Sequence, residues 1–134
     1  MQRTTSVAFV SRTIGAPLIY AVDDMPDLTE LYTTLLEATG CIVRAFNDRA
    51  DALAALKADW TKPDLLITDY LGLSMPVDKF MCHCLAVHPT LRILMASGFS
   101  QTVVRFSQAG PDRFLQKPFT PEELRQEVMA ALAA

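Results

Sequence analysis

The chain has 134 residues, with 12 Lys and Arg against 15 Asp and Glu and a formal net charge of −3. Hydrophobic residues make up 51% and charged residues 20%. This excludes a disordered chain, suits one compact domain, and gives direct nucleic-acid binding little electrostatic support, since no Lys/Arg cluster stands out.

The longest apolar runs are far too short to span a bilayer. The opening "MQRTTSVAFVSRTIGA" holds only a four-residue apolar run, Val7–Val10, which is not a secretory signal. Three cysteines, Cys41, Cys82 and Cys84, are odd in number and irregularly spaced, so no disulfide framework is expected. A cytoplasmic chain with reduced thiols follows as the expectation. Residues 1–16 read as a mobile arm and 17–134 as the domain.

In chain order the pattern alternates. "PLIYAV" is a short apolar strand ending at Asp23-Asp24. Leu28, Leu31, Tyr32, Leu35 and Leu36 then fall on one helical face, closed by Gly40. "CIVRAF" is a second strand, and "NDRADALAALKADW" a second helix capped by Asn47 or Asp48. "DLLIT" is a third strand, and "PVDKFMCHCLAVH" a helix with Pro76 at its first turn and Pro89 beyond its end. "LRILMA" is a fourth strand, and "SQTVVRFSQAG" a short helix candidate. "RFLQ" is a fifth strand. In "TPEELRQEVMAALA", Thr120 and Glu123 form a capping box with Pro121 at the first helical position, and Leu124, Val128 and Leu132 form the seam. Repeated β/α units with strands apolar on both faces imply an α/β fold around a parallel sheet.

Ligands of open parallel sheets bind beyond the carboxyl ends of the strands. Asp23 and Asp24 follow the first strand, Asp69 the third, Ser97 the fourth and Lys117 the fifth. Three carboxylates on one rim repel one another, and Mg²⁺ is the natural remedy. A carboxylate beside a metal, a lysine and a hydroxyl is an arrangement for accepting a phosphoryl group. Any one Asp at a strand end is often only a cap or a turn former.

The segments "YAVDD", "DLLITDY", "MASGF" and "FLQKPFTPEEL", in this order, resemble the receiver (CheY-like) domains of two-component response regulators, over about residues 17 to 133. The resemblance implies a doubly wound, flavodoxin-like five-stranded parallel sheet of order 2-1-3-4-5; that order comes from the family. It implies a phosphoacceptor signalling module with Mg²⁺ as cofactor, and not an enzyme in its own right. Asp69 would accept the phosphoryl group. Asp24 would ligate Mg²⁺ directly and Asp23 mainly through water, with Asp69 and the backbone carbonyl of Leu71 as further ligands. Ser97 would hydrogen-bond a phosphoryl oxygen. Lys117 would pair with the phosphate, and with Asp69 before phosphorylation. Phe114 stands at the family's switch position, and the Lys117–Pro118 bond would be cis.

The implied partners are a sensor histidine kinase or phosphotransfer protein upstream and an unnamed downstream protein. DNA and membrane are not expected partners, and a homodimer is one assembly open to it. No output domain is expected after the fifth helix, so the signal would leave through protein contacts, from a stand-alone receiver or one taken from a larger chain, and "FLQKPFTPEEL" looks more like receivers attached to, or partnered with, hybrid sensor kinases.

Several residues depart from the family pattern. Gly72 and Leu73 stand where Met-Pro is usual, and Val77 where Gly is usual, which leaves the path of loop 71–77 open. Met25 replaces a third acidic residue, and Phe114 lacks the hydroxyl of a Tyr. Leu71 and Phe99, two residues after Asp69 and after Ser97, are apolar and cannot orient an attacking water. They are expected to gate the site and slow dephosphorylation.

Other readings compete at single positions. Cys82, Cys84 and His88 supply too few ligands on one helix face for structural zinc. Trp60 reads as a packing residue under a loop. Val103, Val104 and Phe106 suit either core or a partner surface. A Mg²⁺ phosphatase would need Asp-x-Asp, but Tyr70 and Leu71 follow Asp69. A flavin carrier would need a Ser/Thr/Gly-rich loop where "DDMPD" stands.

Overall fold

The computed structural model describes residues 15–72, 74–102, 104–106 and 110–134. Residues 1–14 of the expected N-terminal arm, including Val7–Val10, fall outside the described residues, as do Leu73 and Val103.

Five strands and four helices occur among the described residues. They are β1 (Leu18–Val22), α1 (Pro26–Glu37), β2 (Ile42–Phe46), α2 (Arg49–Ala58), β3 (Leu65–Asp69), α3 (Val77–Val87), β4 (Arg92–Ser97), β5 (Arg113–Gln116) and α4 (Pro121–Ala133). The strands form one parallel sheet in the order β2-β1-β3-β4-β5. The switch point lies between β1 and β3, the two strands that end in Asp23-Asp24 and Asp69.

Strand side chains alternate between faces, and the alternation splits the core in two. Tyr20, Val22, Leu66, Ile93 and Met95 pack with Leu53, Leu56, Phe80 and Met81 of α2 and α3. Ile19, Ala21, Leu65, Ile67, Leu94 and Ala96 pack with Tyr32, Leu36, Leu124 and Val128 of α1 and α4. A sheet covered on both faces needs strands with no polar side, which is why "LIYAV" and "LLIT" are buried throughout.

Local signals act largely as expected. Gly40 closes α1 at φ +96°, where a Cβ would be strained. Asp48 caps α2 by accepting from Ala50 N at 2.7 Å. The Thr120–Glu123 capping box is formed, and Lys117–Pro118 is cis.

Four expectations are corrected. The inner face of α1 carries Thr29, Tyr32 and Leu36, while Leu31 is 42% exposed. Thr29 tolerates burial because its hydroxyl donates to Pro26 O and accepts from Asn47 Nδ2. On α4 the buried seam is Leu124, Val128 and Ala131, with Leu132 only partly buried. Trp60 is not a packing residue: it is 98% exposed in the turn after α2.

The fourth predicted helix, finally, is absent from its described residues. Ser100 and Thr102 hydroxyls bond each other at 2.7 Å, Thr102 N donates to Ser100 Oγ, and the Arg105 guanidinium donates to Thr102 O and Val104 O. Such local bonds compete with a helical ladder, and the β-branched Thr102 and Val104 weaken it further. Val104 is buried and Phe106 packs on the α2/α3-side core, so both serve packing.

Candidate functional site

Parallel pairing at β1–β3 and β3–β4 brings Asp23, Asp24, Asp69 and Ser97 to one end of the sheet. A ligand oxygen from each of Asp23, Asp24 and Asp69 lies within 4.8 Å of the others. Among the described residues this is the one group of three or more metal-type side chains so arranged. Three hard carboxylate oxygens at this spacing fit a small divalent cation such as Mg²⁺.

Asp23 is buried and held from several sides. Its Oδ1 accepts from Met25 N at 2.9 Å, its Oδ2 accepts from Lys117 Nζ at 2.9 Å, and its carbonyl accepts from Asn47 Nδ2 at 2.8 Å. Asp24 is exposed. Asp69 Oδ1 accepts from Tyr70 N at 2.8 Å and lies 3.5 Å from Lys117 Nζ. Burial raises the Asp69 carboxyl above its ordinary value. Lys117 opposes that rise and Asp23 adds to it. Lys117 thus sits between the two carboxylates, nearer Asp23 than the expected Asp69.

Ser97 is buried at the end of β4, where its Oγ accepts from Phe99 N at 3.0 Å. Its carbonyl accepts from Lys117 N at 2.7 Å, which fixes the start of the lysine's segment against β4. Phe114 is half-buried, opposite Met95 in the sheet.

The two proposed gating residues differ in position. Leu71 is 57% exposed and shares a cavity of about 190 Å³ with Asp23, Asp24, Asp69 and Arg49. Phe99 is 45% exposed and meets the ring of Tyr70 edge-on, 5.9 Å between centroids; it does not line that cavity. Tyr70 meets Phe106 the same way.

Helix α3 starts eight residues after Asp69, and the described residues between carry an unforeseen anchor. Arg49, at the first position of α2, donates to Asp69 O at 2.6 Å, Met75 O at 2.7 Å and Leu71 O at 3.2 Å. Asn47 was equally unforeseen, read only as a cap candidate. The available signal for Arg49 was its charge at a helix N-terminus, where a cation is unfavourable without acceptors.

Cys41 and Cys84 are buried, and burial pushes the Cys84 thiol up to about 12. His88 Nε2 lies 2.9 Å from Pro63 O. Among the described residues no helix is long and apolar enough to cross a membrane.

Similarity to known proteins bears on the family and the fold. The model of the response regulator receiver domain matches residues 19–129. The DNA-binding response regulator MtrA of Mycolicibacterium smegmatis is 32% identical over 117 residues, covering 85% of this chain and 50% of that protein. The C4-dicarboxylate transport transcriptional regulatory protein DctD of Rhizobium meliloti is 30% identical over 119 residues, covering 87% of this chain and 25% of that protein. The chain thus spans a half and a quarter of these relatives, one named a DNA-binding response regulator and the other a transcriptional regulatory protein, whereas residues 114–124 had suggested hybrid kinases. The crystal structure of a response regulator receiver protein from Sinorhizobium medicae superposes with a TM-score of 0.77 at 27% identity, covering 89% of this chain and 96% of that one. The chain belongs to the response regulator receiver domain family, the phosphoacceptor modules of two-component signalling.

Proposed function

We propose that Asp69 is the phosphoacceptor of this receiver, with a histidine kinase or phosphotransfer protein as donor and Mg²⁺ as cofactor. The observation that carries this reading is the meeting of Asp69, Asp23, Asp24 and Lys117 at the switch point of the sheet. Receiver domains in general bind Mg²⁺, and the donor set here suits it. Asp23, Asp24, Asp69 and the Leu71 carbonyl would hold the ion, which would offset charge gathering on the phosphoryl oxygens.

The chain's own groups would act as follows. The Asp69 carboxylate meets Tyr70 N and Lys117 Nζ through Oδ1, and its Oδ2 would form the new O–P bond. As that bond forms, the N–P bond of a phosphohistidine breaks, and its electron pair stays on the imidazole, which takes a proton from solvent. Lys117 would follow the charge from the carboxylates to the phosphoryl oxygens. Ser97 Oγ would exchange the Phe99 amide for a phosphoryl oxygen, moving the 97–106 segment, and Phe114 on the neighbouring strand would repack with it. The resulting surface would signal to a downstream protein, attached or separate.

The test is incubation with acetyl phosphate and Mg²⁺ followed by intact mass. The reading predicts one added phosphoryl group that needs Mg²⁺ and is lost in Asp24→Asn and Asp69→Asn. An unmodified wild-type protein would overturn it.

A further inference from the structure

Arg49 is 4% exposed, and its guanidinium donates to three backbone carbonyls at the end of β3 and in the loop after it. Its Nη2 divides between Asp69 O and Leu71 O while Nη1 holds Met75 O, and its Cζ lies 6.0 Å from the Phe80 ring centre. Burial lowers its basicity, and Asp69, Asp24 and Asp23 oppose that, so its charge faces the same three carboxylates. Gly72 completes the seat. A Cβ there would lie 2.8 Å from Arg49 Nη1, and Gly72 is not among the glycines of positive φ. A side chain at 72 would therefore displace the guanidinium, and backbone freedom is not what glycine supplies there.

We propose that Arg49 is a positioning residue that competes with Mg²⁺ and sets its affinity low. It does so in two ways. Its charge answers part of the negative potential that draws a cation to Asp23, Asp24 and Asp69. It also holds the Leu71 carbonyl, the oxygen assigned to the metal above, and a carbonyl bound to one cation is a poorer donor to a second. This inference rests on the phosphoacceptor reading of the site.

The test is Mg²⁺ titration by calorimetry on wild type, Arg49→Met, Arg49→Lys and Gly72→Ala, with near-UV circular dichroism to confirm the fold. Arg49→Met removes the charge and the clasp and should tighten Mg²⁺ binding about tenfold. Arg49→Lys keeps the charge with one point donor and should tighten it less. Gly72→Ala pushes the guanidinium from its seat with the charge retained, and should also tighten it less. Loss of a purely structural arginine would loosen the site, so tighter binding is the signature. Binding that is unchanged or weaker in folded Arg49→Met overturns the proposal. If that variant does not fold, unchanged or weaker binding in both Arg49→Lys and Gly72→Ala overturns it. Failure of the underlying reading looks different: wild type itself would show no Mg²⁺ binding that Asp24→Asn abolishes, and both would fall.

Discussion

Lys117 Nζ lies 2.9 Å from Asp23 Oδ2 and 3.5 Å from Asp69 Oδ1, so the lysine pairs more closely with the buried β1 carboxylate than with the acceptor. Asp23 is nearly inaccessible, and stripping a buried charge of its partner costs on the order of 3 kcal/mol. Lys117→Met is therefore expected to lower the urea midpoint at neutral pH. It should also slow phosphorylation by acetyl phosphate at least about tenfold, the effect of roughly 1.4 kcal/mol on a barrier. Urea melts and single-turnover mass kinetics check the pair.

Asp69 gives a pH prediction with a definite sign. Its carboxyl is raised above 3.8 by burial first, so the folded protein binds that proton more tightly than the unfolded chain. Ionised Asp69 therefore destabilises the fold above its folded pKa, and that cost is recovered as pH falls toward 3.8. Asp69→Asn should melt a few degrees above wild type at neutral pH, with the gap closing on acidification. Thermal melts from neutral pH downward measure it. The phosphorylation rate should fall with acid earlier than an ordinary carboxylate would dictate.

Leu71 lines the cavity of the acidic group, whereas Phe99 does not line it and packs edge-on against Tyr70. A polar side chain at 71 can hold a water that leucine excludes. Leu71→Asn should speed decay of the phosphoprotein several-fold, and Phe99→Asn less. Unchanged decay in both variants, followed by mass after removal of the donor, would contradict gating.

Tyr32 lies buried on the inner face of α1, stacked on Phe119, and its hydroxyl finds no hydrogen-bond partner among the described residues. An unsatisfied buried hydroxyl costs about 1–3 kcal/mol. Tyr32→Phe should be at least as stable as wild type in a urea melt; a clear loss would reveal a partner for the hydroxyl.

The strands were legible because burial on both faces writes an unbroken apolar run, and the acidic rim because topology converts strand ends into neighbours. The features missed depend on contacts remote in sequence. Arg49 looked like a charged residue in an Ala/Leu helix, and only the loop carbonyls twenty or more residues away reveal its role. The helix expected over 100–110 is absent from the described residues there, where the Ser100 and Thr102 hydroxyls bond each other, Ser100 Oγ accepts from Thr102 N and the Arg105 guanidinium bonds nearby carbonyls. Trp60 shows the limit of composition: a large aromatic implies burial only where a neighbour covers it.

The new bond should form at Asp69. After phosphorylation with acetyl phosphate and Mg²⁺, borohydride reduces an acyl phosphate to the alcohol, and tandem mass spectrometry locates it. Homoserine is expected at position 69 and nowhere else. Phosphate found on a serine, a histidine or another carboxylate, with residue 69 unchanged, would contradict it.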